Sequence, residues 1–279
     1  MPNQITIKHE VTCFGAGLHS GKQVNMSIKP AEPDTGITFV RTDLEGHPTI
    51  KATADNVTAT VRATTLEQNG IKVFTVEHLL SALHARRIDN CIVELDGEEP
   101  PVMHGSAIDF FNLLRLADTI EQNVERRELI VDRVYRIDDE TAEGRRFIIA
   151  LPYDGFRVSF TSVNPHPLIG IQYFDIDIDE ENYAREIAPA RTIAYEKEIE
   201  MLHKAGLGLG GSLDNVIVYN DEGWINDLLY PDELVRHKIL DVIGDLRLTG
   251  IFKGHIIAAA SGHALNAKLA KKLINREED

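Results

Sequence analysis

The sequence has few cysteines and no long apolar run. Cys13 and Cys91 are its two cysteines among 279 residues, too few to hold a protein of this size together through disulfide bonds. No uncharged apolar segment reaches the roughly 18 residues of a membrane-spanning helix, and the first ten residues, MPNQITIKHE, lack the apolar stretch of a signal peptide. We therefore expect a protein of a reducing compartment, the cytoplasm, without a transmembrane segment.

Basic residues are also scarce relative to acidic ones. The chain has 29 Lys and Arg against 44 Asp and Glu, which gives a formal net charge of −15. A protein with this charge repels nucleic acids and anionic membrane surfaces, so neither is expected as a partner. An anionic ligand would need local cations or a metal ion to hold it. Apolar residues make up 43% of the chain and charged residues 26%, which excludes wholesale disorder.

The order of predicted elements is similar in the two halves of the chain. In the first half, strand-like segments such as QVNMSIKP precede the helical pattern of VEHLLSALHARRI and the short strand NCIVEL. In the second half, strand-like segments precede the amphipathic pattern DELVRHKILDVIGDLRL and the strand-like HIIAAAS. A second helix follows in both halves. This order indicates a weak structural duplication, with a coincidence of common elements as the alternative.

The polar stretch TIEQNVERRE, residues 119–128, is the predicted boundary between these halves. We therefore predict an N-terminal α/β domain over 1–122 and a C-terminal α/β domain over 123–279. The segment near 190–220 has no counterpart in the first half and is predicted to be an insert.

The sharpest chemical signal is the segment RHKILDVIGD, residues 236–245. On a helix, His237, Asp241 and Asp245 are four residues apart and share one polar stripe, opposite apolar side chains that would pack into the core. An imidazole nitrogen and a carboxylate oxygen at this spacing can both reach one metal ion. The alternative is a solvated His–Asp pair on the helix surface.

A second signal is Glu77-His78, at the start of the first predicted helix. Adjacent Glu and His can place a metal ligand beside a carboxylate that acts on water instead of on the metal. His78, His237 and Asp241 would supply three protein ligands and leave one coordination position open, as in catalytic zinc sites. The alternative is a Glu that only favours the helix dipole.

A third signal is His263 in SGHALN, at a predicted turn from a strand to a helix. If Asp245 accepts a hydrogen bond from this imidazole, the ring is held cationic and can protonate a leaving amine. The alternative is a capping or turn histidine.

Two glycine clusters lack the spacing of nucleotide-binding loops. The segment GAGLHSG, residues 15–21, does not have the dinucleotide fingerprint, and the segment at 208–212 lacks the Lys-Ser/Thr of a phosphate loop. Glycines that line an apolar passage are the better interpretation of the second cluster, because a chain entering there needs close approach to the backbone.

Taken together, these motifs resemble bacterial UDP-3-O-acyl-N-acetylglucosamine deacetylases, the zinc amidases that commit a sugar nucleotide to lipid A. The matching stretches follow the family's order over nearly the whole chain and are GxGLHSGK (15–22), TVEHLLSAL (75–83), IDN (88–90), GSA (105–107), ART (190–192), LGGS (209–212), VRHKILDVIGDL (235–246) and SGHALN (261–266). Of these, RHKxLDxIGD is highly specific, whereas the isolated glycine motifs are not.

The resemblance implies an α+β fold of two similar two-layer domains, each a sheet packed on helices, with the active site between them. It assigns Zn2+, with Fe2+ as a possible competitor in cells, to His78, His237 and Asp241. It makes Glu77 the general base and His263 the general acid. It also implies that Asp245 orients His263 and that Thr192 lies near the oxygen of the tetrahedral intermediate. The implied substrate is a UDP-acyl-sugar whose N-acetyl group is hydrolysed, and we expect a monomer.

The resemblance also implies positions for the substrate. Lys238 would lie near the sugar nucleotide and Phe160 near the uracil. The insert near 190–220 would form an acyl passage whose lining residues are Leu18, Ile193, Ile199, Gly211, Ser212 and Val216. Ile193 stands where an aromatic residue often occurs in the family, so the width of the passage can differ.

Two departures from the family pattern stand out. His104 precedes GSA where the family usually has Asp, which changes local hydrogen bonding but not the metal ligands. Ala260 stands where a basic residue is common, so one diphosphate contact is lost or supplied by another residue such as Lys253.

Two alternatives of other classes follow from these observations. A non-catalytic binder of sugar nucleotides or lipids is disfavoured, because Glu77, the three ligands and His263 are all retained. A zinc hydrolase of a different amide remains open, because of the changes at His104 and Ala260.

Overall fold

The computed structural model of the chain describes residues 2–141 and 144–276. The described strands of the first half are β1 (Asn3–Ile7), β2 (Val11–Ala16), β3 (Gln23–Pro30), β4 (Ile37–Arg41), β5 (Thr49–Lys51), β6 (Val57–Ala59), β7 (Thr65–Gln68), β8 (Ile71–Phe74), β9 (Cys91–Leu95) and β10 (Thr119–Glu125). Its helices are α1 (Glu77–Ala85) and α2 (Ile108–Leu116).

The second half has the same kinds of element. Its strands are β11 (Glu128–Ile130), β12 (Tyr135–Thr141), β13 (Gly144–Leu151), β14 (Phe156–Val163), β15 (Ile171–Asp177), β16 (Thr192–Tyr195), β17 (Val216–Tyr219) and β18 (Ile251–Ala259). Its helices are the single turn α3 (Glu180–Asn182), which continues as a π-helical turn over Tyr183–Ile187, then α4 (Glu196–Lys204), α5 (Glu233–Leu246) and α6 (His263–Asn275).

The two large sheets share one topology. Their strand orders are β2-β3-β9-β4-β5 and β12-β13-β18-β14-β15, with β11 added beside β18. In the first sheet, the central strand β9 is parallel to β4 and antiparallel to β3. In the second, β18 is likewise parallel to β14 and antiparallel to β13. The prediction of an α+β fold is confirmed, and the equal strand orders favour duplication over coincidence.

The polar stretch near residue 122 contains a strand. In this stretch β10 pairs antiparallel with β1, and its Gln122 side chain donates to the carbonyl oxygen of Ala31 at 2.7 Å. Gln122 stands between Ile120 and Val124 on one face of the strand, so the apolar alternation by which a strand is recognised is interrupted. The division at 122/123 remains a prediction, and that position falls inside β10.

The helices of the two halves meet along α1 and α5. Helix α2 also packs against α1, and α6 packs against α5 and the second sheet. A close approach is possible because Gly244 has no side chain: a Cβ there would lie 2.1 Å from the carbonyl oxygen of Glu77. This contact brings the start of α1, with Glu77 and His78, against the face of α5.

The insert folds as a separate small unit of secondary structure. Strands β16 and β17 form a parallel pair, and α4 lies between them in sequence. Among the described helices, none is long and apolar enough to cross a membrane.

Candidate active site

The polar stripe of α5 faces the interior of the protein. His237, Asp241 and Asp245 are 3%, 2% and 0% exposed. The solvated-pair alternative for this stripe is therefore wrong. Because buried charged groups are costly unless they are paired or bind a metal, the cluster needs partners, and other elements supply them.

His237 is held in one tautomer. Its Nδ1 lies 3.0 Å from the carbonyl oxygen of Ala190 and donates to it, which leaves Nε2 as the free nitrogen. That Nε2 lies 3.5 Å from Asp241 Oδ1. Two ligands of one tetrahedral ion at 2.0–2.2 Å would be about 3.4 Å apart, so this pair has the separation of a metal-binding pair.

His78 completes a three-residue group. Its ring meets that of His237 edge-on, with ring centroids 5.0 Å apart. One donor atom each from His78, His237 and Asp241 lie within 4.8 Å of one another. Burial, together with the neighbouring His237, lowers the pKa of His78 to about 3, and burial lowers the pKa of His237. Both imidazoles are therefore neutral, as metal ligands must be, and the donor set fits a divalent ion.

A second group, Glu77, Asp241 and His263, has a similar spacing but suits a metal less well. Burial opposes protonation of His263, but the carboxylates of Asp245, Asp241 and Glu77 outweigh it and raise the pKa to about 10. A cationic imidazole has no lone pair for a metal ion. The first group is therefore the better candidate for holding a metal ion, and His263 is suited to carry a proton.

Asp245 is hydrogen-bonded to His263, the first residue of α6. The imidazole Nδ1 donates to Asp245 Oδ2 at 2.9 Å, and Asn266 Nδ2 donates to the same oxygen at 2.8 Å. The hydroxyl of Thr64 donates to Asp245 Oδ1 at 2.5 Å. With both carboxylate oxygens occupied, Asp245 is fixed, and His263 turns its Nε2 toward the rest of the cluster.

Glu77 lies opposite that nitrogen. Its Oε1 is 3.8 Å from His263 Nε2, and its Oε2 accepts from the backbone N–H of Thr64 at 3.1 Å. Burial raises the pKa of Glu77 to about 8, with the His263 charge opposing and the carboxylates of Asp245 and Asp241 adding to the rise. A carboxyl group that titrates near neutral pH is suited to accept and release a proton during turnover.

One cavity of about 800 Å³ opens beside this cluster. His237, His263 and Thr192 line it. All the positions predicted to contact substrate line it as well, namely Leu18, Phe160, Ile193, Ile199, Gly211, Ser212, Val216 and Lys238. Three of the lining residues, Leu18, Val216 and Val218, pack with Val102 in a small apolar cluster apart from the main core. The structure thus brings the predicted residues together, while their individual roles remain predictions.

The structure shows the surroundings of the two departures from the family pattern. His104 is largely exposed, and its Nδ1 pairs with Asp109 at 2.9 Å. The Lys253 ammonium pairs with Glu128 Oε2 at 3.1 Å, and Lys253 does not line the cavity, so it is not the replacement cation near Ala260. Arg146 does line the cavity and precedes Phe147, which pairs with Ala259.

Sequence reasoning missed several residues that support the site. Thr64 has no motif around it, and its two partners, Glu77 and Asp245, lie 13 and 181 positions away in sequence. Asn266 and Gly244 lie inside the matched motifs SGHALN and VRHKILDVIGDL. Membership of these motifs is the one sequence signal that marks them, and it does not indicate what either residue contacts. The Ala190 carbonyl and Arg146 carry no residue-type signal at all.

Comparison with known proteins adds an independent line of evidence. The family model of UDP-3-O-acyl N-acetylglycosamine deacetylase (LpxC) matches residues 4–275. Among curated relatives, the UDP-3-O-acyl-N-acetylglucosamine deacetylase of Nitratidesulfovibrio vulgaris is 48% identical over 267 residues, covering 95% of this chain and 85% of the relative. The UDP-3-O-acyl-N-acetylglucosamine deacetylase of Oleidesulfovibrio alaskensis is 45% identical, covering 99% of this chain and 90% of the relative. The protein of the same name in Hahella chejuensis is 42% identical, covering 100% of this chain and 92% of the relative.

Proposed function

The chain belongs to the UDP-3-O-acyl N-acetylglycosamine deacetylase family, and we propose that it hydrolyses the N-acetyl group of UDP-3-O-(3-hydroxyacyl)-N-acetylglucosamine in lipid A biosynthesis. The products are UDP-3-O-acyl-glucosamine and acetate. The observation that carries this proposal is the convergence of a three-residue metal group, Glu77 and His263 beside a single cavity.

The metal is proposed to be Zn2+, with Fe2+ as the alternative, because both ions accept imidazole and carboxylate ligands. His78, His237 and Asp241 would hold it. When bound, such an ion supplies Lewis acidity to the amide carbonyl and makes a nearby water molecule more acidic.

Glu77 and His263 would then move the protons of the reaction. Glu77 accepts one proton from the attacking water while the water oxygen forms a bond to the acetyl carbon. The Thr192 hydroxyl donates a hydrogen bond to the carbonyl oxygen as negative charge develops there. His263 Nε2 gives a proton to the glucosamine nitrogen, the C–N bond breaks, and acetate leaves. Asp245 keeps the imidazole cationic and correctly turned until that step.

The remaining lining residues would bind the substrate. The acyl chain would lie along Leu18, Ile193, Ile199, Gly211, Ser212 and Val216 and contribute about 0.8 kcal/mol per buried methylene. Lys238 donates to Asp241 at 2.7 Å, and its ammonium has further donors for the sugar nucleotide. Phe160 would lie near the uracil. Because one chain supplies this whole site, we propose that the monomer is active. The free thiols of Cys13 and Cys91 fit a cytoplasmic location.

Removing a ligand should remove the metal. We expect the His237→Ala variant to bind at least about tenfold less metal than the wild type, because two ligands remain where a catalytic site needs three. Metal content of the purified protein, measured by mass spectrometry, checks this. His9→Ala changes an exposed histidine and is the matched control. Full metal content in His237→Ala would remove the assignment.

Arg146 is proposed to replace the basic side chain absent at Ala260. Arg146→Ala should raise KM about five- to tenfold with little change in kcat, since a charged contact to the diphosphate contributes to binding and not to bond breaking. Steady-state kinetics with the full UDP substrate checks this. The control is Arg145→Ala, at a neighbouring and more exposed arginine that does not line the cavity. Equal effects of the two variants would assign the change to overall charge.

The overall activity is tested by mass spectrometry of the product. Wild-type protein loaded with Zn2+ should convert UDP-3-O-(3-hydroxymyristoyl)-N-acetylglucosamine into its deacetylated form and release acetate. Binding without conversion would instead indicate a sugar-nucleotide binder. No binding, together with hydrolysis of other acetamides, would indicate a hydrolase of a different amide.

A further inference from the structure

Glu99 is a fully buried carboxylate outside the proposed reaction. It follows β9 in a turn and is 0% exposed. It accepts hydrogen bonds from the backbone N–H groups of His19 and Ser20, both at 3.0 Å, and from the hydroxyl of Thr75 at 2.7 Å. A buried carboxylate with three donors is well satisfied, and its partners are fixed in turn.

One hydrogen-bond partner of Glu99, Thr75, lies just before α1, the helix that begins with Glu77. Thr75 has a backbone φ of +55°, a left-handed conformation that is unusual for a β-branched residue. Such a residue is held in place by its surroundings, and here the Glu99 carboxylate accepts a hydrogen bond from its hydroxyl. Thr75 lies two residues before Glu77, so its conformation sets where α1 begins and where Glu77 and His78 point.

The other partners of Glu99, His19 and Ser20, belong to a loop that contributes Leu18 and His19 to the wall of the cavity. Gly17 packs on the same carboxylate: a Cβ there would lie 2.3 Å from Glu99 Oε2. The adjacent carbonyl oxygens of Leu18 and His19 accept from the N–H groups of Gly210 and Leu209, at 3.0 and 3.2 Å. The loop at 17–20 therefore supports the glycine segment that continues into Gly211 and Ser212.

We propose that Glu99 is a positioning residue that couples the wall of the acyl passage to the start of the catalytic helix. Its carboxylate fixes the position of the loop at 17–20 relative to the start of α1, so that a bound acyl chain places the N-acetyl carbonyl at Glu77. This inference rests on the proposed function. It also gives a role to the backbone of the segment GAGLHSG, in addition to the proposed contact of Leu18 with the acyl chain.

The helix side of this coupling is tested at Thr75. Thr75→Val keeps the shape of the side chain but removes the hydroxyl, and Thr75→Ser keeps the hydroxyl. We expect kcat to fall about tenfold in Thr75→Val with KM little changed, because one hydrogen bond to a buried charge is lost. Thr75→Ser should stay within about twofold of the wild type, since that bond remains. Equal kcat values in the two variants would contradict a role for the hydroxyl.

The passage side is tested at Gly17. In Gly17→Ala the new methyl group meets Glu99 Oε2 and shifts the loop at 17–20, while Oε1 keeps its bond from Thr75. KM should therefore rise about tenfold for a substrate with a long 3-hydroxymyristoyl chain. KM for a substrate with a short 3-hydroxybutyryl chain should change much less, and kcat should be retained. Glu99→Gln should show both effects, because an amide cannot accept all three bonds.

These outcomes separate positioning from plain stability. If Thr75→Val and Gly17→Ala changed the same kinetic constant in the same ratio, or if Glu99→Gln changed neither, the coupling would be refuted. Thermal unfolding of each variant identifies any that does not fold, in which case the Thr75 pair and Gly17→Ala decide. If the wild type converted neither substrate, the failure would be that of the proposed function and not of the coupling.

Discussion

Replacing Glu77 by glutamine is expected to remove nearly all turnover while the protein keeps its metal. Glutamine has the size of glutamate, and its amide oxygen can still accept the hydrogen bond from the backbone N–H of Thr64. It cannot take a proton from water, so kcat should fall about 10³-fold, within the range for loss of a general base. Initial rates at saturating substrate, together with metal content of the same preparation, check this.

The proposed separation of base from ligand makes this result informative. Glu77 lies beside the ligand His78 on α1, but its carboxylate oxygens face Thr64 and His263. A general base that does not bind the metal leaves metal content unchanged when it is removed. If metal content and activity instead fell in proportion, Glu77 would be a ligand or a structural residue. His78→Ala, which removes the neighbouring ligand, is the positive control for metal loss.

The elements that carry the site were predictable because their apolar spacing is helical. The pattern around Leu79, Leu80 and Leu83 predicts α1, and the pattern around Ile239 and Ile243 predicts α5, which the structure confirms. Strand β10 could not be recognised, because Gln122 interrupts the face that carries Ile120 and Val124, and its partner β1 lies far away in sequence. The placement of β9 between β3 and β4 depends on long-range pairing that no local pattern contains.

The sequence indicates which residues form the candidate site, but it does not show whether their side chains are buried. The spacing of His237 and Asp241 indicates a shared metal ion, and the structure places their donor atoms 3.5 Å apart. The same spacing is equally typical of a solvated surface pair. What decides between the two is the packing of α1 on α5, which buries the stripe. Thr64 shows the limit most clearly, since its hydroxyl contacts Asp245 across 181 positions of sequence.

His263→Gln is expected to lower kcat/KM about 10²- to 10³-fold and to flatten the basic side of the pH profile, with metal retained. The reaction needs Glu77 ionised and His263 protonated, so the rate of the wild type rises through the pKa of Glu77 and falls through that of His263. Burial opposes the charge on His263, but the carboxylates of Asp245, Asp241 and Glu77 outweigh it and raise its pKa to about 10. Positive charge added by a bound metal ion lowers the pKa values of both Glu77 and His263. The basic limb of the metal-loaded enzyme should therefore lie at a lower pH than the pKa of His263 in the metal-free protein.

Glutamine at position 263 can keep a hydrogen bond to Asp245 but has no proton to lose in this range. Its profile should therefore continue level where that of the wild type falls. The profile of kcat/KM against pH, measured on metal-loaded protein, decides the matter, with His104→Gln at an exposed histidine as the control. Should the basic limb of His263→Gln coincide with that of the wild type, another group would donate the proton to the leaving amine. Asp245 would then be holding His263 for a structural purpose, because an imidazole kept cationic by a fixed carboxylate would have no proton to deliver in the reaction.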